Sequence, residues 1–129
     1  MAQPSDRLYA RTHEWVQIAG NQATIGITDY AQEQLGDVVF VELPAAGKRL
    51  TSGGELGNIE SVKAVSELIS PVEGVVVEMN AELESHPELV NKDPFGGGWL
   101  VRVEVVPGAG AGLMDAAAYA RFIAEEGAH

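Results

Sequence analysis

The sequence predicts a mainly β fold: a small sandwich or flattened barrel of seven or eight short strands, with short helices at its edges and one at its C-terminus. Three observations carry this expectation. Short apolar or alternating runs recur from Glu14 to Val106, separated by Gly, Pro and Asn turn signals. A valine-rich run is echoed, "GDVVFVELP" (36–44) by "GVVVEMN" (74–80), which suggests two related halves. Chain length completes the case. A chain of 129 residues buries roughly two-thirds of its unfolded surface in one core. One domain over 1–129 is expected, with its core at about 8–106 and a C-terminal helix at about 115–126.

Each element has a local reason. "EWVQIAG" and "QATIGI" flank the turn pair Gly20-Asn21, so residues 14–27 form a hairpin. In "TDYAQEQLG", Thr28 or Asp29 caps a short helix, Ala31 and Leu35 share a face, and Gly36 stops it. "DVVFVELP" is a strand ended by Pro44. "ELGNIES" and "AVSELIS" are strands on either side of Val62-Lys63, and "EGVVVEMN" is another. "SHPELVNKDPFGGG" is a long connection in which Pro87 opens a helical turn as its first residue. "WLVRVEVV" is the last strand and "PGAGAG" a hinge. Asp115 then caps a helix whose apolar stripe is Tyr119, Phe122 and Ile123.

Charge and cysteine usage exclude whole classes. The formal net charge is −11, which repels phosphate backbones and anionic lipid, so no nucleic acid or membrane is expected as partner. With no cysteine, the chain holds no disulfide, thiolate nucleophile or Cys-type metal site, and any thiol chemistry arrives on a cofactor. No apolar run approaches the ~20 residues of a membrane span. The N-terminal "MAQPSDRLYART" lacks the marks of a signal or transit peptide, and a cytoplasmic location is expected.

Against this background stands "SVKA" (61–64). Lysine at a hairpin tip is ordinarily a solvated charge, and a Schiff-base role would need a pocket that a tip does not offer. A lysine that carries a large covalent group needs an exposed amine, small neighbours and a rigid turn. Lys63 between paired strands, with Ser61 and Ala64 small, meets these needs. Spacing takes it no further.

The sequence resembles the H proteins of the glycine cleavage system in five blocks. These are "YARTHEWV" (9–16), "GITDYAQEQLGDVVFVELPAAG" (26–47), "ESVKAVSELISPVEGVVVEMN" (60–80), "PELVNKDPFGGGWLVRV" (87–103) and "LMDAAAYARFI" (113–123). The resemblance implies a barrel-sandwich hybrid, the two-sheet sandwich of lipoyl and biotinyl domains. It implies lipoate in amide linkage on Lys63, and a non-catalytic carrier that is a shared protein substrate of three enzymes. These are a pyridoxal-phosphate glycine decarboxylase (P protein), a tetrahydrofolate-dependent aminomethyltransferase (T protein) and dihydrolipoamide dehydrogenase (L protein). A lipoate ligase or lipoyl/octanoyl transferase would attach the group, and the carrier would be a monomer. A groove near the His-Glu-Trp segment and the first helix would shelter the aminomethyl group. Glu14 is the carboxylate expected to hold its ammonium, with Glu67 beside the hairpin as a weaker candidate. Some members use a histidine on the first helix, where Gln34 stands here.

Other assignments compete. Biotin carriers flank their lysine with methionines, whereas Val62 and Ala64 stand here. Dehydrogenase lipoyl domains show an Asp-Lys-Ala tip. A lipoate-relay protein that donates its lipoyl group to other carriers would need the same Lys63. An enzyme is disfavoured by the missing nucleophile, metal and phosphate motifs. His13, His86 and His129 are scattered, without metal spacing. His13 and Glu14 are no catalytic pair, since neighbours on a strand face opposite ways. Gly96-Gly97-Gly98 lacks the Lys-Ser/Thr of a phosphate loop. Trp15 and Trp99 are expected in the core, and Asp29, Glu33 and Asp37 form a solvated or docking face.

Overall fold

The computed structural model describes residues 3–127. Among them, nine strands and four helices follow in the order β1 (Leu8–Tyr9), β2 (Glu14–Ala19), β3 (Gln22–Ile27), α1 (Asp29–Leu35), β4 (Val38–Glu42), β5 (Arg49–Leu50), β6 (Glu55–Ser61), β7 (Val65–Ile69), β8 (Gly74–Met79), α2 (Glu82–Ser85), α3 (Leu89–Lys92), β9 (Val101–Val105) and α4 (Ala116–Gly127). Six strands form one sheet in the order β1-β2-β3-β9-β8-β5, and β4-β6-β7 form the other. All pairings are antiparallel. Neither sheet closes into a barrel. The two valine-rich echoes, β4 and β8, lie one in each sheet.

The sheets share one core. Ile25, Val76, Val101 and Val103 come from the larger sheet and Val41, Ile59 and Leu68 from the smaller, with Leu83 and Val90 added by α2 and α3. These are alternate positions along their strands, the two-residue period that sends one face inward. A second, aromatic cluster gathers Tyr9, Trp15 and Tyr119, with Phe95, Trp99, Phe122 and Ile123 packed around them. Tyr9 and Tyr119 stack with centroids 4.8 Å apart. This contact seats α4 on the end of the larger sheet through the stripe its helical spacing predicts. Trp15 is the buried core residue expected. Trp99 is only partly buried, with the Arg102 guanidinium 4.1 Å from its ring centroid.

Local chemistry set most boundaries as expected. Gly20, at φ 63°, makes the β2–β3 turn. Thr28 caps α1 by accepting from Ala31 N–H at 3.2 Å, and Asp115 caps α4 by accepting from Ala118 N–H at 2.8 Å. Three features differ from expectation. The two-residue strands β1 and β5 exist only through their pairing with β2 and β8, and no periodicity marks them. Helix α2 (Glu82–Ser85) forms just before the long connection, in residues with no expected element, and shares only Ser85 with it. Pro87 precedes α3 rather than starting it: Glu88 is the N-cap, and the Pro87 carbonyl accepts from Val90 N–H.

Trp15 shows how tightly the pattern is drawn. It lies opposite Gly26 in the β2–β3 register, and a Cβ on Gly26 would stand 2.5 Å from Trp15 Cε2. Gly26→Ala is therefore expected to lower stability by about 1–3 kcal/mol through overpacking, read as a lower urea midpoint with unchanged slope.

Candidate functional site: a lysine hairpin beside a sheltered groove

The lysine hairpin is bonded from within and from below. Ser61 N–H donates to the Ala64 carbonyl at 2.8 Å, and Ser61 Oγ accepts from Ala64 N–H at 3.2 Å, closing a tight turn across Val62 and Lys63. Val62 N–H donates to the Asp37 carbonyl at 2.9 Å, so the tip is tied to the segment that follows α1. The Lys63 side chain runs across Gly36, where an added Cβ would come within 3.3 Å of its Cε. Gly36 also sits at φ 80°, a conformation that only glycine adopts without strain. Lys63 is exposed, and among the described residues no carboxylate forms an ion pair with it.

Sequence reasoning missed the residue that fixes this segment. Asn91, on α3, donates through Nδ2 to the Gly36 carbonyl and to Gln32 Oε1, both at 2.9 Å. Its Oδ1 accepts from Val38 N–H at 2.8 Å. One side chain thus brackets Asp37, the residue that holds the lysine tip. No local signal marks Asn91, because its partners lie more than fifty positions away in sequence.

Beside the hairpin is a groove of about 310 Å³ whose walls include His13, Glu14, Tyr30, Gln34, Leu35, Ile59, Glu67 and Glu126. The structure therefore places Glu14, Glu67 and Gln34 on the walls of one groove. Lys63 stands outside it, and Leu35, which lines the groove, is the neighbour of the Gly36 beneath Lys63. Glu14 is 2% exposed. Its Oε1 accepts from Thr12 Oγ1 and its Oε2 from Ile69 N–H at 3.2 Å, a bond that joins the two sheets. Burial pushes its carboxyl up to about 7, against the lowering effect of the Thr12 and Ile69 bonds.

His13 corrects the alternation argument. It precedes β2 and takes φ 75°, which breaks the strand period, so His13 and Glu14 both face the groove. Its Nδ1 lies 2.8 Å from the Tyr119 hydroxyl, which in turn lies 2.7 Å from Thr28 Oγ1, and its Nε2 lies 3.2 Å from Glu126 Oε1. One arrangement uses every donor: Thr28 donates to Tyr119, Tyr119 to His13 Nδ1, and His13 Nε2–H to Glu126. This chain ties α4 to the wall of the groove, which Glu126 joins. Glu126, a lining residue, lies one helical turn beyond Phe122 and Ile123 of the α4 stripe. Among the described residues no group of three or more His, Asp or Glu side chains is placed to hold a metal ion.

Two facing sheets over one core, with an exposed lysine on the hairpin of the smaller sheet, define the sandwich class of lipoyl and biotinyl domains. Comparisons with known proteins then narrow the class. The family model described as glycine cleavage H-protein matches residues 7–126. The glycine cleavage system H protein of Rubrobacter xylanophilus is 55% identical over 123 residues, 95% of this chain and 96% of its own. That of Beutenbergia cavernae is 54% identical over 127 residues, 98% of this chain and all of its own. The crystal structure of a glycine cleavage system H protein from Mycobacterium marinum superposes with a TM-score of 0.85 at 37% identity, covering 97% of this chain and 99% of that one. The chain belongs to the glycine cleavage H-protein family.

The geometry makes two predictions. Because the folded Glu14 carboxyl titrates near 7 against an ordinary value of 4.5, the folded state binds the extra proton between these pH values. Stability therefore falls as pH rises through that window. Glu14→Gln should raise stability at pH 8 by about 2 kcal/mol, with the gain vanishing toward pH 4, measured by urea unfolding across pH. Asn91→Ala leaves a buried N–H and a carbonyl unpaired, so it should cost about 2 kcal/mol and speed amide exchange at Val62.

Proposed function

We propose that the chain is the lipoyl carrier of glycine cleavage, with lipoate in amide linkage on Lys63 and the groove at Glu14 as the resting place of the aminomethyl group. The observation that supports it best is the adjacency of an exposed, unpaired lysine on a rigid tip to a sheltered groove that contains a buried carboxyl. The small, bonded flanks Ser61 and Ala64 leave room for a long substituent, which fits lipoate. When bound, lipoate supplies the sulfur chemistry a cysteine-free chain lacks, accepting the aminomethyl group of glycine and passing it on.

The chain's own residues hold and protect. Lys63 fixes the arm's root. Glu14, near its titration midpoint at neutral pH, gives up its proton when an ammonium arrives and then pairs with it. Glu67 at the rim adds negative charge. Tyr30, Leu35 and the α4 latch limit the water that reaches the carried group. The protein then acts as a non-catalytic carrier, a monomer visiting the P, T and L proteins in turn, in the cytoplasm. Its whole length works as a single domain. A lipoate-relay role is not favoured by any feature of the site.

The test is intact mass and peptide mapping after coexpression with a lipoate ligase and added lipoate. One lipoyl increment on Lys63, absent in Lys63→Ala, is the expected result. An unmodified protein, under conditions that load a control lipoyl domain, would refute the carrier assignment.

A further inference from the structure

The smaller sheet has an outward face that the core does not use and of which the groove takes only Glu67. Register places Phe40, Glu60 and Val65 in one row across β4, β6 and β7, and Glu42, Asn58 and Glu67 in the next. The irregularity between Val38 and Phe40 turns Val39 outward as well. Of seven large hydrophobic side chains exposed among the described residues, four surround the lysine tip: Val39 (48%), Phe40 (54%), Val62 (69%) and Val65 (69%). The other three, Ile18, Val77 and Val106, belong to the other sheet or its end. Single exposed apolar residues need no explanation, but a cluster with a polar rim does. Here the polar neighbours are acidic: Glu60 stands between Phe40 and Val65, and Asp37, Glu42 and Glu67 flank the cluster, all exposed, on a chain of net charge −11.

We infer that this face is the docking surface for the enzyme that acylates Lys63, and that the enzyme meets it with apolar side chains interspersed with arginine or lysine. The inference rests on the lipoyl-carrier assignment and adds to it a partner surface. Reach selects this partner. The acylating enzyme must bring its activated acyl group to the end of a bare four-carbon side chain, so it has to touch the surface immediately around the tip. Enzymes that act later meet the far end of a lengthened arm and have no such need. In the reaction the Lys63 amine attacks the acyl carbon of an enzyme-held acyl adenylate. The C–N bond forms, the C–O bond to the phosphate of AMP breaks, and the surplus amine proton passes to solvent. Charge complements the choice, since basic side chains on the partner steer toward the acidic ones here while the apolar side chains supply the desolvated contact. The groove takes Ile59, Ser66 and Leu68 from the inward side of the same sheet and shares only Glu67 with the outward face, so a partner centred on Phe40 and Val65 leaves most of it open.

The test uses the full unmodified chain with a purified lipoate ligase, ATP and lipoate, varying the chain's concentration. Phe40→Thr and Val65→Thr place a β-branched residue with good strand propensity at an exposed strand position, and their melting temperatures are expected within a few degrees of the parent. Each should raise the ligase KM for the chain about tenfold with kcat little changed, while Ile18→Thr on the other sheet changes neither. If the parent chain itself is not modified, the carrier assignment fails and this inference falls with it. If the parent is modified and Phe40→Thr has the parent's KM, the docking surface alone is refuted. Chains fully loaded with excess ligase are then assayed with dihydrolipoamide dehydrogenase. An equal rise in KM there would overturn the assignment to the acylating enzyme, as would a dimer of the parent chain that Phe40→Thr dissociates while the ligase KM stays put.

Discussion

One backbone hydrogen bond sets the geometry on which the site depends: Val62 N–H to the Asp37 carbonyl. It ties the tip of the lysine hairpin to the short joint between α1 and β4. Helix α1 supplies Ala31, Gln34 and Leu35 to the groove, and Gly36, at its end, passes beneath Lys63. The joint therefore couples the position of the lysine to the position of the groove. Asn91 holds the joint from the other side, through bonds to the residues before and after Asp37. A hairpin fixed only by its own strands would be free to lean. Three bracing contacts within three residues remove that freedom.

The site then divides into two environments with opposite demands. Lys63 needs water and room, and it stands exposed at a tip with small, internally bonded neighbours. Glu14 needs shelter, and it sits under Thr12 and against the edge of β7, where burial holds its carboxyl close to neutrality in pKa. A carboxyl poised in this way costs less when neutral than a buried charge and still ionises once a cation arrives. Helix α4 completes the shelter through the Thr28–Tyr119–His13–Glu126 chain, so a terminal helix distant in sequence is part of the groove. Acid-rich surroundings serve the same division, since they repel nucleic acid and lipid while favouring basic protein partners.

What the sequence reveals follows the range of the forces involved. The β2–β3 hairpin and α1 are legible because Gly20, Thr28 and Gly36 act within a few residues. The α4 stripe is legible because helical period and packing coincide. Strands β1 and β5 are not, being two residues long and held by pairing with β2 and β8, with β1 also relying on Tyr9 exchanging backbone bonds with Met114. The opposed-face expectation for His13 and Glu14 failed because a positive φ at a non-glycine residue has no composition signal. Asn91 was invisible for a similar reason: its bonds are tertiary. Lys63 was suggestive from its flanks, but its chemistry entered through family resemblance. The convergence of Glu14, Glu67 and Gln34 on one groove is what the structure adds.

The central claim is that the lysine arm and the buried Glu14 carboxyl operate as one unit. Its most direct test is a carbon-detected NMR titration of the Glu14 side-chain carboxyl, first in the unmodified protein and then in the lipoylated protein loaded with the aminomethyl group. The expected midpoint is near 7 without the load and clearly lower with it, because an ammonium at hydrogen-bond distance favours the carboxylate. A midpoint that stays put on loading would place the carried group elsewhere and contradict the account.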